Sequence, residues 1–375
     1  MALPEAQAEP GVREGVCYAL FAYDAGLAID LDESERRITA MTQRAAIRHK
    51  HRAPRYFEYR PAPLRVTQEG EALAVGAFRT LPFVDAVLYD FGAVSVTYQI
   101  PLEGPLSRLI TLAEELYESE ALLADSRRQV ERVLAAIAPA VSRARLADFV
   151  ETYAIFELGA LGPSCAPVEL YTTHGREVAQ ILRAERAALS DQEMNDALAH
   201  RISFGAEDVT LIDWEAALIA ARDAEDVRAV LEFANVELLE MRFLDQQLDD
   251  ALDESYVTLS HRRRRLWRPG SSRAALLRVG QLQVDNALLF EGVNNALKLV
   301  GDQYLARVYR LVSERFHLAE WDAGILRKLQ TLDSIYQKLS DQAANRRTEA
   351  LEWIVILLIA VEILIPFLPR LLALG

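Results

Sequence analysis

Between Ala206 and Pro269 the chain contains neither glycine nor proline, and this stretch restricts the fold more than any other. With no helix breaker present, apolar residues at helical spacing have nothing to stop them forming helix. Val227, Leu231, Ala234, Leu238, Met241, Leu248, Leu252 and Leu259 fall on a four-three repeat, with Asp245 and Ser255 as polar interruptions. Such a seam predicts one long helix, about 60 Å if unbroken at 1.5 Å per residue. A turn is expected at Arg268-Pro269-Gly270-Ser271-Ser272. A second seam then follows through Ala275, Val279, Leu282, Asn286, Leu289, Val293, Ala296 and Val300. Two long helices joined by a short turn predict an antiparallel coiled-coil hairpin, with Asn286 fixing its register at some cost in stability. A third helix is expected from about Asp322, its seam running through Ile325, Leu329, Leu332, Tyr336, Leu339 and Ala343.

The third helix leads into Leu351–Leu374. From Trp353 to Leu368 only Glu362 carries a formal charge, and the run has no glycine. A hydrocarbon core is roughly 30 Å thick, so the run is a little short, but flanking side chains and local thinning close such gaps. The expectation is a C-terminal transmembrane helix; the alternative is a buried helix at the heart of an oligomer. Arg346 and Arg347 precede the run and Arg370 alone follows it, which favours a cytoplasmic body. Glu352 and Trp353 stand at its entry. Glu362 within it is expected to face another helix, including one from a second copy. The implied location is the cell inner membrane, single-pass, with membrane lipid as one partner and a second copy, through the seams, as another.

The N-terminal half reads differently. Residues 1–14 form an acidic, proline-bearing tail with neither signal-peptide nor transit-peptide character. Gly15–Tyr23 reads as a buried strand and Asp32–Ile47 as a short helix with Ser34 near its start. Arg48–Arg52 reads as a solvated helix end. Val84–Ile100 is the strongest strand signal, two strands around Asp90-Phe91-Gly92. That triplet lacks the glycine-rich loop, paired lysine and HRD sequence of a kinase, so Gly92 is assigned to a turn. Leu106–Ala138 is helical in two pieces. Asp148–Leu158 and Val168–Thr172 read as strands, and Arg176–His200 as helical, with Ser190 and Glu193 at capping-box spacing. Asp208–Asp213 is taken as the last strand. Strands and helices without a regular βαβ rhythm make this an α+β class. The resulting organisation is an α+β domain over 15–213, a helical arm over 214–347 and an anchor over 348–375.

Chemistry is harder to find. The net charge is −14, which argues against a general nucleic-acid binder. Two cysteines, Cys17 and Cys165, lie far apart, so no disulfide framework or thiolate metal site is expected. The densest basic cluster is Arg262, Arg263, Arg264 and Arg265, with Trp267 beside it. It reads either as a contact patch for a protein or RNA partner or for anionic lipid, or as a helix C-terminus balancing the acidic residues upstream. Glu314 and His317 have the spacing of two ligands on one helix face, but no second Glu-x-x-His completes a bundle site. No P-loop, GxSxG or HExxH occurs. No catalytic residue, metal ligand set or cofactor is therefore assigned.

The terminal signature Leu351-Glu352-Trp353-Ile354-Val355-Ile356-Leu357-Leu358-Ile359, followed by Glu362, resembles the "required for meiotic nuclear division" proteins, the Rmd1/YagE-type family built on a domain of unknown function. The resemblance implies an α+β domain, a coiled-coil arm and one C-terminal membrane helix, without enzymatic activity. Eukaryotic relatives are mitochondrial membrane proteins associated with support of translation. The function expected on these grounds is a non-enzymatic, membrane-anchored scaffold presenting a cytosolic domain on a stalk. The alternative is a membrane-tethered enzyme, metal-dependent through Glu314 and His317.

Overall fold

The computed structural model describes residues 11–42, 47–52, 62–117, 119–162, 165–261 and 303–364, with residues 277, 280–281 and 284 as isolated helical positions. The chain divides into two units, 1–245 with 285–323 and 246–284 with 324–375. The first unit, the body, opens on β1 (Gly11–Asp24), β2 (Ala28–Ile29), α1 (Leu31–Thr42), β3 (Ile47–Arg52), β4 (Leu64–Glu69), β5 (Ala74–Val75), β6 (Phe78–Arg79), β7 (Phe83–Leu88) and β8 (Ala93–Pro105). Helices α2 (Leu106–Tyr117) and α3 (Glu120–Ile137) lead through β9 (Val141–Ser142) to β10 (Val150–Leu161). Three short helices, α4 (Glu169–Thr172), α5 (Gly175–Leu182) and α6 (Asp191–Ala197), precede β11 (Arg201–Ile202), β12 (Val209–Ile212) and β13 (Ala216–Ala220). The long helices are α7 (Glu225–His261) and α9 (Leu318–Leu364), with the shorter α8 (Gln303–Arg315) between them.

One mixed sheet organises the body, with strand order β11-β12-β13-β10-β1-β8-β7-β4-β3. Every pairing in it is antiparallel except β10 with β13, because the chain between those two crosses over through α4–α6 and the β11–β12 ribbon. At its centre β1 is buried on both faces. Cys17, Ala19, Phe21 and Tyr23 meet α1, α2, α3 and α5 on one side, while Leu20 and Ala22 meet α7 and α8 on the other. A strand covered on both faces carries apolar residues in succession rather than in alternation, and GVCYALFAY does that. Gly92, at φ +105°, takes the turn between β7 and β8. There it crosses the Ala25-Gly26 backbone so closely that an added Cβ would fall 1.8 Å from the Gly26 carbonyl oxygen.

Several local expectations change. Arg48–Arg52 is the edge strand β3, paired with β4, not a helix end. Glu169–Thr172 is one turn of helix, too short to have shown a helical period. The sheet continues past Asp213 into β13, whose five residues Ala216–Ala220 are all buried. The helix that follows is not a free-standing seam at its start. Every residue of α7 from Val230 to Met241 is buried, so this part is a core helix of the body.

The second unit contains the end of α7 and most of α9. Leu248, Ala251, Ile325 and Leu332 are buried in it, and Lys328 Nζ lies 2.7 Å from Asp249. The turn at 268–272 lies outside the described residues. So does every named residue of the second seam, Asn286 included.

The transmembrane expectation is overturned: among the described residues no helix is long and apolar enough to cross a membrane. The apolar part of α9 runs from Trp353 to Leu364, about 18 Å at 1.5 Å per residue, against roughly 30 Å of hydrocarbon. Extending it backwards to eighteen residues takes in Glu352, Glu349 and Arg347 besides Glu362. Single-pass placement in an inner membrane falls with it, as do the membrane-anchored scaffold and the membrane-tethered enzyme.

Candidate functional site at the acidic end of the sheet

Helix α7 lies antiparallel to β10, and two ion pairs align them. Arg228 pairs with Glu157 and Arg242 with Glu151, the latter at 2.6 Å. The two arginines are 14 residues apart, about 21 Å along a helix, and the two glutamates are six apart, about 20 Å along a strand. The matched lengths let both pairs close at once. Each guanidinium also covers an aromatic ring, Arg228 over Tyr18 at 4.1 Å and Arg242 over Phe149 at 5.0 Å. Between them, one turn after Arg228, Glu232 accepts from Ser95 Oγ at 2.9 Å and from Arg65 Nη2 at 2.8 Å.

This alignment sets the C-terminal half of that buried segment over the end of the sheet where β1 and β12 finish and β8, β10 and β13 begin. Carboxyl groups collect there. From the strands come Asp24 and Glu151, and from the turn between β12 and β13 Asp213 and Glu215; α7 supplies Glu237 and Glu240; the first turns of α9 supply Asp322. Burial pushes the Asp24 carboxyl up to about 7, against the pull of Arg145. It pushes Glu151 to about 7 as well, opposed by Arg242 and reinforced by Glu215. Glu237, only 3% exposed, is raised to about 7 by burial, although Tyr309 Oη donates to its Oε2 at 2.5 Å. Glu240, 2% exposed, is pushed well above the carboxylate range by burial and then by Asp24, and its Oε1 has no hydrogen-bond partner among the described residues. Asn235, on the same helix, also leaves both amide atoms unmatched among the described residues.

Beside this group sits a second, charge-balanced one. Asp213, fully buried at the end of β12, meets Arg315 from α8 and Arg183 from the end of α5, the latter at 2.7 Å. Asp196 of α6 binds the same two arginines, at 2.5 Å from Arg183 and 2.8 Å from Arg315. Tyr153 Oη donates to the Asp213 carbonyl at 3.0 Å. Phe316 stacks edge-on against Tyr153 and Trp214. Because α5 and α6 cover one face of the sheet and α8 the other, Asp213 ties the two helical layers together at the sheet's end. Next to it, a cavity of about 40 Å³ lies between β1, β10, α2 and α5, with Glu215, Tyr117 and Tyr153 in its wall. It has room for a few waters.

Burial thus raises the carboxyl groups of Asp24, Glu151, Glu237 and Glu240 inside a packed body. They do not form a nucleophile with an oriented base, and among the described residues no set of three or more His, Cys, Asp or Glu side chains is placed to hold a metal ion. Glu314 and His317 do not share a helix face, because α8 ends at Arg315 and His317 turns back with φ +52°. His317 Nδ1 instead approaches Glu320 at 3.6 Å. Arg262, Arg263, Arg264, Arg265 and Trp267 lie outside the described residues. Glu352 and Trp353 are exposed on α9, and Glu362 falls in the same helix. The site that sequence reasoning missed had a signal. In RAVLEFANVELLEMRF the polar residues Glu232, Asn235, Glu237 and Glu240 do not share a face. A helix with no polar face buries its polar residues with the rest.

Comparison with known proteins gives a family without adding chemistry. A protein of Methanocaldococcus jannaschii, described as "Uncharacterized protein MJ0711", is 21% identical over 310 residues, covering 80% of this chain and 83% of that one. No solved structure matches. The family model described as "Uncharacterized protein MJ0711, N-terminal domain" matches residues 14–226, from β1 to the first turn of α7, and so spans the whole sheet. This family, not the Rmd1/YagE-type one to which the terminal signature points, is the one the comparisons identify. The chain belongs to the family of the MJ0711 N-terminal domain.

Proposed function

We propose that the protein is an assembly protein, in which the end of α9 associates with a second copy of the chain. The observation that carries this reading is the surface of α9 from Leu351 to Val361. Leu351, Trp353, Ile354, Val355, Ile356, Leu357, Leu358, Ile359 and Val361 are between 44% and 68% exposed. A helix that is apolar all round belongs in the interior of something. Burying such a side chain fully contributes roughly 1.5–3 kcal/mol, so half-burying these nine yields on the order of 10 kcal/mol. That is comparable with the cost of association. The segment's likeness to the Rmd1/YagE-type proteins belongs to the same proposal: a body and long helices without a catalytic constellation.

The test is sedimentation of the full chain against the full chain carrying Ile356→Glu with Ile359→Glu, two exposed positions on adjoining turns. The expected result is a discrete oligomer for the unaltered chain and a folded monomer for the variant. A monomeric unaltered chain, or association seen only when lipid vesicles are added, overturns the reading.

A further inference from the structure

We propose that Glu237 and Glu240 of α7, with Asp24 at the end of β1, form a proton-operated lock that seats α7 on the sheet when the carboxyls are protonated and loosens it when they ionise. The geometry supplies three reasons. Both glutamates are fully enclosed, at 3% and 2% exposure. Among the described residues no cation is paired with either: Glu237 faces the Tyr309 hydroxyl on α8 and, more distantly, Asp322 on α9. Glu240 faces Asp24, whose own counter-charge is Arg145, in the segment before β10. The nearest arginine on α7, Arg242, is engaged with Glu151. An ionised carboxylate here would have to be held without a partner, the most costly way to bury a charge.

The linkage sign follows from the raised values. A carboxyl that is neutral in the seated state and ionised when exposed releases its proton on opening. Stability from such a group is fully present below its ordinary pKa and is lost as pH rises through the seated one. For Glu237 that window runs from 4.5 to about 7, and for Asp24 from 3.8 to about 7. Within it, each group raises the opening constant of α7 by up to about tenfold per pH unit. The lock is thus tightest in mild acid and weakest above neutrality. It is independent of whether the end of α9 binds a second copy.

Amide exchange of the full chain over Val230–Met241, corrected for the intrinsic pH dependence of exchange, reads the opening directly. Between about pH 5 and about pH 7.5 the opening constant should rise at least tenfold. In the paired variant Glu237→Gln with Glu240→Gln, which keeps the shape of the neutral acids, that rise should shrink by at least tenfold, with protection at the higher pH increased. An unchanged rise in the variant overturns the lock. So does a variant that fails to fold, because neutral isosteres ought to suit a site built for protonated acids. As a second measurement on the unaltered chain, the urea midpoint should fall as pH rises from about 4.5 through about 7; a midpoint rising through that range overturns the lock equally.

Discussion

Two stretches of long helix invert the usual relation between polarity and burial. From Val230 to Met241, α7 carries Glu232, Asn235, Glu237 and Glu240, and every residue is buried. From Leu351 to Val361, α9 is almost wholly apolar, and every residue is exposed. Intrinsic helix propensity separates them little, since Leu, Glu and Ala are all good formers. The difference is what each meets. The sheet offers α7 two ion pairs at matched spacing and a run of strand side chains between them, so its polar residues are enclosed along with its apolar ones. Among the described residues of its own unit, the end of α9 meets nothing comparable. Burial is thus set by long-range partners that a local pattern does not contain.

The strongest challenge to this comparison is to remove a partner from the buried side. Arg315→Ala strips Asp213, which is fully buried, of one of its two arginines, and Asp196 likewise keeps only Arg183. Leaving a buried charge under-compensated typically costs 3–5 kcal/mol; with Arg183 still in place we expect about 3 kcal/mol, read from urea unfolding. A loss below about 1 kcal/mol would show that Asp213 does not depend on the layer-bridging contact. Next in size is a matched pair of truncations. Leu239→Ala, at a fully buried site on α7, should cost about 2–5 kcal/mol. Ile356→Ala, at 54% exposure on α9, should stay within about 0.5 kcal/mol for the dilute monomer. Equal effects would mean that the two stretches are packed alike.

The body's elements were legible where local chemistry decided them. Ser190 accepts from the Glu193 amide at 3.2 Å, as the capping-box spacing predicts. The turn at Asp90-Phe91-Gly92 separates β7 from β8, and α2 and α3 are the two helical pieces expected before Ala138. Expectations failed where the outcome depended on what lay across the fold. Arg48–Arg52 is basic but pairs as an edge strand. Ala216–Ala220 lies beyond the strand expected to be the last, yet parallel pairing with β10 and burial of all five residues make it one more. The acidic end of the sheet draws residues from positions 24 to 322. No spacing in the sequence joins them, although the missing polar face of α7 was there to be read. The apolar run near the C-terminus misled in the opposite direction: its composition suggested lipid, but its described length and flanking charges do not support a span.

The smallest expected effect is also the sharpest test of why α7 is buried at all. If the two ion pairs set the helix on β10, removing them should act on alignment together. Arg228→Ala and Arg242→Ala each break a partly exposed pair, with side-chain exposures of 23% and 34%. Solvent screening limits such pairs to about 1 kcal/mol or less, and the lost covers over Tyr18 and Phe149 add about 0.5 kcal/mol apiece. Two distant, independent sites add within about 0.5 kcal/mol. The sites are about 21 Å apart along the helix, so strict additivity is the outcome if each pair merely decorates the surface. If the pairs cooperate in holding one register, the first removal already releases the constraint, and the double variant loses measurably less than the sum. Urea unfolding of the two single variants and the double variant decides between these outcomes. A sub-additive result assigns the burial of Glu237 and Glu240 to the clamp at either end of them, whereas additivity assigns it to the apolar contacts of α7 alone.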